Sequence, residues 1–426
     1  MAAAWDTTTR TDTTMTFVTD ADGQAEATFY LACRDDRGAV SDTLVRFVPL
    51  RNFPPALNFQ SDFDPLKNLQ RELIREGETV VDTVYWNWGA MNVRLFAFDI
   101  DGNATMDSTY RYTTADVDPE ITLPADDPAA DPMLHWLEAP FESQEEIREF
   151  SIQLGGLPPG QRTLTVAVGD EALAETRLEL SWEVRAPRGP VLVIPDNSSG
   201  TAKDFYRDFL AEYLGEGAWD EYEFWFGFPD SPYVLLEAMR QFELVFWFDG
   251  GGTSPILQTA AARNGALERY LQPSDGSAAG RLLMISRNLT GSASQLPFYF
   301  RQTILGISPT GSPASALEPE NSAIGVQALG AQPHLPPMTL VSTQGRGMGL
   351  TLLEGAEELY RFEECLRCFG RRPPWDPVIA ARRPDRATSE LARVVGVSFQ
   401  LDAMDPEGAH AALAAILAEE LGVSAP

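Results

Sequence analysis

Four apolar residues in succession, Val191-Leu192-Val193-Ile194, run into a polar turn, Pro195-Asp196-Asn197-Ser198-Ser199-Gly200. Behind the turn, Phe205, Phe209, Leu210, Tyr213 and Leu214 recur at helical spacing. This reads as a buried strand, a turn and an amphipathic helix. The pattern continues with a strand at Tyr222–Phe226 and a helix over Pro232–Phe242, its face formed by Val234, Leu235, Ala238, Met239 and Phe242. A third strand over Leu244–Phe248, a short helix over Asn264–Leu271 and a fourth strand over Arg281–Ser286 follow, with a further helical stretch at Phe298–Leu305. Proline and glycine from Ser308 to Met338 predict an excursion over the surface, and Ala356–Phe369 has helical spacing. The chain closes on a strand, Arg393–Leu401, and a helix, Asp405–Leu421. Asp405 is placed to cap that helix, Pro406 to occupy its first turn and Gly422 to end it. Strands alternating with helices predict a doubly wound, mainly parallel α/β sheet over residues 188–424.

The pattern before residue 188 is different. Thr14–Val18, Thr28–Arg34, Leu44–Val48, Val80–Trp88, Asn92–Asp99, Phe150–Leu154, Thr163–Val168 and Thr176–Val184 alternate or are rich in β-formers, and turn residues separate them. An acidic, proline-rich stretch over Asp116–Glu146 predicts a long loop around a short strand near Trp136, and Trp86, Trp88, Trp136 and Trp182 are candidate core or rim aromatics. Thr28–Asp35 and Thr163–Asp170 each read as a strand ending on an acidic turn, followed by threonine-led strands at Thr43–Phe47 and Thr176–Val184. This is an internal repeat of a closing hairpin. The expected division is three consecutive segments: a partial sandwich over 1–52, a full sandwich over 53–187 and the α/β domain over 188–424. A full sandwich needs about 100 residues, so the first segment is expected to be the end of a domain that begins upstream, where a leader would also lie.

At 426 residues the chain has room for two or three domains. Its 62 acidic against 32 basic residues give a net charge of −30, which disfavours nucleic acid and anionic lipid as partners. No apolar run reaches the ~20 residues of a membrane span. The first residues, Met1-Ala2-Ala3-Ala4-Trp5, lack the basic and apolar regions of a signal peptide. Cys33, Cys365 and Cys368 are too few for a disulfide framework. The Cys365-Leu366-Arg367-Cys368 spacing would put both sulfurs on one helix face, for core packing or a local disulfide, because two further soft ligands for a metal are missing.

"LPPGQRTLTVAVGDE" and "FYLACRDDRGAVSDT" resemble the closing strands of bacterial fibronectin-type-III or immunoglobulin-like modules. The succession "VLVIPD", "YEFWFG", "ELVFWFDGGG" and "GRLLMIS", with a helix between each and the next, resembles the class I glutamine amidotransferase-like superfamily over about residues 188–300. That resemblance implies a nucleophilic cysteine at a glycine-flanked elbow after the strand ending at Ser286, with a distal histidine and glutamate. This chain reads Met284-Ile285-Ser286-Arg287-Asn288 there, with neither cysteine nor glycine. Ser286 is the hydroxyl at the expected place, and His334 is its candidate base, since His135 falls in the sandwich and His410 on the last helix.

Ligands of doubly wound sheets bind outside the carboxyl ends of the strands, which makes Asp196, Asn197, Ser198, Asp230, Asp249, Ser286 and Asn288 the candidate binding residues. They suit a polyol, a sugar or a cation. Asp249-Gly250-Gly251-Gly252 lacks the lysine of a phosphate-binding loop and the spacing of a dinucleotide fingerprint, and no cofactor is expected. Asp20–Gly23 and Asp99–Gly102 contain the Asp-x-Asp-Gly pattern, with Asp99 and Asp101 as candidate calcium ligands. A plain hairpin turn wants the same residues, and the EF-hand's closing glutamate is missing.

The expectation is a non-enzymatic, secreted or cell-envelope bacterial protein with a protein or glycan partner, its sandwich modules acting as spacers. The alternatives are a hydrolase of glycan or peptide using a crest serine or carboxylate, and a surface-filament subunit that self-assembles by strand sharing.

Overall fold

In the computed structural model, residues 24–425 are described, apart from 63, 101–105, 116–121, 142–146, 172, 197–199, 226–231, 250–254, 263–264, 291–295, 309–315, 366–367 and 370–375. Twelve strands precede Pro190 among these residues: β1 (Gln24–Leu31), β2 (Leu44–Arg51), β3 (Ala56–Phe59), β4 (Gln70–Glu76), β5 (Thr79–Asn87), β6 (Met91–Phe98), β7 (Thr109–Thr113), β8 (Thr122–Pro124), β9 (Trp136–Pro140), β10 (Arg148–Leu154), β11 (Gly160–Gly169) and β12 (Glu175–Val184). The protein is multi-sheet and β-rich. It forms two compact units that interleave along the chain. One comprises the segment before Asp64 with Val93–Ile152 and Gln161–Ser181; the other comprises Asp64–Asn92, Gln153–Gly160 and the chain from Trp182 onward. This division crosses the three consecutive segments expected from the sequence.

In the first unit, β1 and β2 form an antiparallel ribbon from Gln24↔Arg51 to Leu31↔Leu44, and β3 pairs with β6. β7 lies between β11 and β9, with β8 parallel to β9. β10 alternates buried and exposed positions along its whole length, the signature of a strand with one face in the core. Its Phe150 stands 4.2 Å from Tyr110 and 5.2 Å from Phe141, ring centroid to ring centroid.

The repeated hairpin ends are alike in detail. Asp35 N–H donates to Ala39 O and Asp35 O accepts from Gly38 N–H, while Asp35 Oδ1 accepts from Ala39 N–H. Asp170 makes the same three bonds, with Ala174 O, Leu173 N–H and Ala174 N–H. The aspartate side chain closes each turn on its own backbone. The fourth position is left-handed in both, at φ +89° in Gly38 and +66° in Leu173.

In the second unit, the antiparallel hairpin β4–β5 runs beside β12, which is parallel to β5 at Glu183↔Trp86 and Val184↔Asn87. The chain then forms β13 (Val191–Asp196), α1 (Gly200–Leu214), β14 (Trp219–Glu221), α2 (Pro232–Arg240), β15 (Leu244–Asp249), α3 (Pro255–Ala261), α4 (Ala266–Leu271) and β16 (Arg281–Ile285). A π-helical turn over Phe300–Leu305 follows, then β17 (Ala316–Leu317), β18 (Gln327–Gly330), β19 (Met338–Thr339), β20 (Gly347–Met348), β21 (Glu357–Phe362), β22 (Val378–Arg383), β23 (Val394–Val397) and α5 (Pro406–Ala415). Nine of these strands share a sheet of order β14-β13-β15-β16-β23-β22-β21-β18-β19. The first five are mutually parallel; the pairings from β23 to β19 are antiparallel.

Both faces of the parallel strands are buried, which is why they read as unbroken apolar runs. Val191, Val193, Phe246, Phe248, Leu283 and Ile285 share a core with α1 and α5. Leu192, Ile194, Val245, Trp247, Leu282 and Met284 share another with α2 and α4. Gly189 admits the chain to β13, because a Cβ there would meet the Ala218 carbonyl oxygen at 1.7 Å. Asp405 Oδ2 accepts from Gly408 N–H at 2.7 Å, Pro406 opens α5, and Gly422 has φ +66°, as the sequence predicts. Leu413, Ile416, Leu417 and Leu421 are all buried.

Four expectations are corrected. The sheet is mixed, with an antiparallel half, where a mainly parallel one was expected. The described part of Ser308–Met338, which excludes 309–315, is anchored to the core on one face where a loose surface excursion was expected: Leu317, Ala323, Val326, Ala328, Leu335 and Met338 pack in the cluster that includes α1 and α5. The second strand is Trp219–Glu221, with Tyr222, first residue of the expected strand, just after it. Finally, Ala356–Phe369 is not helical. Its β21 carries register shifts at Glu358/Tyr360 and Tyr360/Arg361, so the consecutive Leu359 and Tyr360 are both buried. A bulge thus blurs the alternation that marks a strand. Cys365 and Cys368 lie beyond β21, joined by a disulfide.

Candidate functional site

Each of the four inner parallel strands meets a polar residue where its apolar run stops. Asp196 ends β13 and Asp249 ends β15, and the two are register partners. Ile285 is paired with Val397 and Phe248 with Ile285, so one further step sets Ser286 beside Asp249 and Ser398 beside Ser286. Side chains two apart share a face of a strand, which places this row above Ile194, Trp247, Met284 and Gly396. All four polar residues are buried, Asp249 being the most exposed at 7%. The sequence-predicted Asp196, Asp249 and Ser286 are therefore brought together. Asn288 belongs to the same turn, its N–H donating to Ser286 Oγ at 3.2 Å. Asn197, Ser198 and Asp230 lie outside the described residues, as does Asp101; Asp99 is buried at the end of β6.

Trp247 Nε1 donates to Asp196 Oδ2 at 3.1 Å. Ser398 Oγ lies 2.5 Å from Met348 O and 3.1 Å from Ile379 O, tying β23 to its antiparallel neighbour. Ser398 was missed by sequence reasoning, although the run Val394-Val395-Gly396-Val397-Ser398 has the same form as the run ending at Ser286. From the other face, Tyr206 of α1 reaches toward this end of the sheet. Burial pushes its phenol well above the usual range, and the Asp402 and Asp249 carboxylates add to the rise. Burial likewise raises Asp402. The crest is thus acidic and largely buried, with hydroxyl and carboxylate groups side by side. Among the described residues, no group of three or more His, Cys, Asp or Glu is arranged to hold a metal ion.

His334 is elsewhere. Its Nε2 is 2.9 Å from Glu420 Oε1 and 3.2 Å from an Arg386 guanidinium nitrogen. Glu420 also pairs with Arg382 at 2.7 Å, both side chains being fully buried, and its backbone carbonyl accepts from Ala392 N–H. Ala392 precedes β23, so this network caps the amino end of the strand whose carboxyl end lies beside Ser286. Ser286 and His334 are not brought together. A cavity of about 830 Å³ also lies at the amino ends, lined among others by Gly280, Arg281, Arg383, Glu390 and Arg393. Arg281 there is bonded to Leu421 O at 2.7 Å and Arg383 to Gln302 O at 3.2 Å, groups that join elements of the fold.

No family model matches the chain, and no curated protein matches it. Among solved structures it is similar to a ThuA-like protein from Bacteroides uniformis, at 9% identity and a TM-score of 0.33, covering 57% of this chain and 96% of that one. A likeness this slight speaks to neither fold nor activity.

Proposed function

We propose that the protein is a non-catalytic interaction protein of the cell envelope or the extracellular space, whose β-rich part presents a degenerate amidotransferase-like α/β domain. The five parallel strands, numbered along the chain, lie in the order 2-1-3-4-5, the order of flavodoxin-like doubly wound sheets. Fibronectin- or immunoglobulin-like spacers remain the reading of the N-terminal strands that their sequence pattern favours. The Cys365–Cys368 disulfide fits an oxidising compartment.

The observation that carries the non-catalytic reading is the state of Ser286. Its Oγ accepts a hydrogen bond from its own turn, and its candidate base is held in an ion network at the other end of the sheet. A serine nucleophile needs an imidazole within hydrogen-bond reach. A fluorophosphonate probe incubated with the intact protein is expected to leave Ser286 unmodified, as read by peptide mass spectrometry. Labelling that disappears in Ser286→Ala would overturn the reading and favour the hydrolase.

A second reading, self-assembly by strand sharing, is favoured by the β1–β2 ribbon. Tyr30, Leu31, Leu44 and Val45 are 47–58% exposed on it, and an exposed apolar ribbon is a template for another strand. Light scattering across a concentration series tests this, and a monomer throughout excludes it.

A further inference from the structure

Beside β14, at the sheet edge away from the antiparallel half, lies a groove of about 380 Å³ lined by Gln70, Arg71, Trp86, Arg188, Arg207, Gly217, Trp219, Glu221, Glu223 and Trp225. Its volume falls within the range of small-molecule sites. Trp225 is 44% exposed, the one exposed tryptophan among the described residues. An indole in water at the mouth of a groove loses apolar contact that a ligand would restore. Around it stand polar groups already fixed in place. Arg207 forks the Glu221 carboxylate at 2.7 and 2.6 Å, Lys203 Nζ reaches Glu223 at 3.3 Å, and Gln70 Oε1 accepts from Glu223 N–H at 2.8 Å. Arg188 is anchored by Asp220 at 2.7 Å through both its backbone N–H and its Nε.

These pairings decide the charge of the ligand. An anion drawn to Arg188 would face the Glu221 and Glu223 carboxylates that line the same groove, and taking Arg207 from Glu221 would break a bidentate pair of the strong kind. A cation seeking the indole face would meet the Arg71 guanidinium, centred 4.2 Å from the Trp225 ring. A neutral molecule bearing many hydroxyls needs neither exchange. Each hydroxyl both donates and accepts, so it can use the lone pairs left on Glu221 and Glu223 and the free N–H directions of Arg188, which is 59% exposed in its side chain. The flat C–H face of a pyranose supplies the apolar partner for the part of the Trp225 indole that stays exposed beside Arg71. We propose that this groove binds a neutral saccharide, with a sugar ring stacked on Trp225 and its hydroxyls bonded to the Arg207–Glu221 and Arg188 pairs. The site is distinct from the crest, and it stands or falls independently of the non-catalytic reading.

Titration calorimetry of the intact chain with cellotriose, maltotriose and chitotriose, and with tri-arginine and inorganic phosphate as ionic probes, tests this. At least one trisaccharide is expected to bind with a Kd below about 1 mM and to change the tryptophan fluorescence. Trp225→Ala is expected to weaken it by about tenfold or more, with Trp225→Tyr retaining most of the affinity. Circular dichroism of the Trp225 variants checks that they fold. The proposal is overturned if no trisaccharide binds at ~10 mM, if binding survives Trp225→Ala, or if only an ionic probe binds.

Discussion

The two ends of the parallel strands both bury polar groups, and they do so with different chemistry. At the amino ends, one network commits its groups to one another. Arg382 donates to Pro384 O, Ser389 O, Glu390 O and the Glu420 carboxylate, and Glu420 also meets Arg386 and His334. This network holds the last helix to the sheet, through a glutamate in the π-helical turn Ile416–Glu420. At the carboxyl ends, Asp196 accepts from the Trp247 indole at 3.1 Å, the Asp402 and Asp249 carboxylates both push the Tyr206 phenol up, and burial raises Asp402 itself. The histidine, the feature that most invites a catalytic reading, belongs to the structural end. Burial and titratable chemistry therefore do not by themselves mark a site.

The contrast is broken most directly by removing one carboxylate from each end. Glu420→Ala leaves the Arg382 guanidinium buried without its counter-charge and is expected to cost about 3–5 kcal/mol of unfolding free energy in urea titrations. A loss below ~1 kcal/mol would mean that the amino-end network is not structural. At the crest the sign reverses. Because burial raises the Asp402 pKa, the folded state holds a proton that the unfolded chain releases, so stability falls as pH rises from the ordinary aspartate value through the raised one. Asp402→Asn is expected to raise the melting temperature at pH 7 and to leave it unchanged near pH 3, where both states are protonated. Equal effects at the two pH values would remove the electrostatic account.

The repeated turns offer a finer comparison. Gly38 and Leu173 take the same left-handed position in matching hydrogen-bonded turns, and Leu173 is 87% exposed. A leucine there pays a steric penalty without a packing return. Leu173→Gly is expected to gain about 0.5–1 kcal/mol, and Gly38→Leu to lose a similar amount. Thermal melts of the two variants read this directly. Two losses would show that the turns differ beyond their backbone bonds.

Much of this was legible along the chain. The run Val191–Ile194, the helix after it, the strands at Leu244 and Arg281 and the capped final helix follow from local signals: unbroken apolar runs, 3.6-residue periodicity, Asp405 before Pro406 and Gly422 beyond. Those runs also place Asp196, Asp249 and Ser286 at strand ends, so three members of the crest row could be named from the sequence. Ser398 was open to the same reasoning. The antiparallel half was not. Its strands are short or bulged, and Leu359 and Phe362 imitate helical spacing, so pairing with β22 and β18 sets their conformation rather than local pattern.

What the sequence determined by itself is therefore the local order: which stretches are apolar on both faces, where they stop, and which polar residue stands at each stop. The tertiary structure decided the partners. It put Ser286 and His334 at opposite ends of one sheet, and it gathered Arg71 of β4, Arg207 of α1 and Trp225 beyond β14 around one groove. The physical reason is range. Periodicity and capping act within a few residues, whereas strand order and side-chain pairing join positions up to hundreds apart, such as Tyr213 and Val423, separated by 210 residues and joined by a 2.8 Å hydrogen bond.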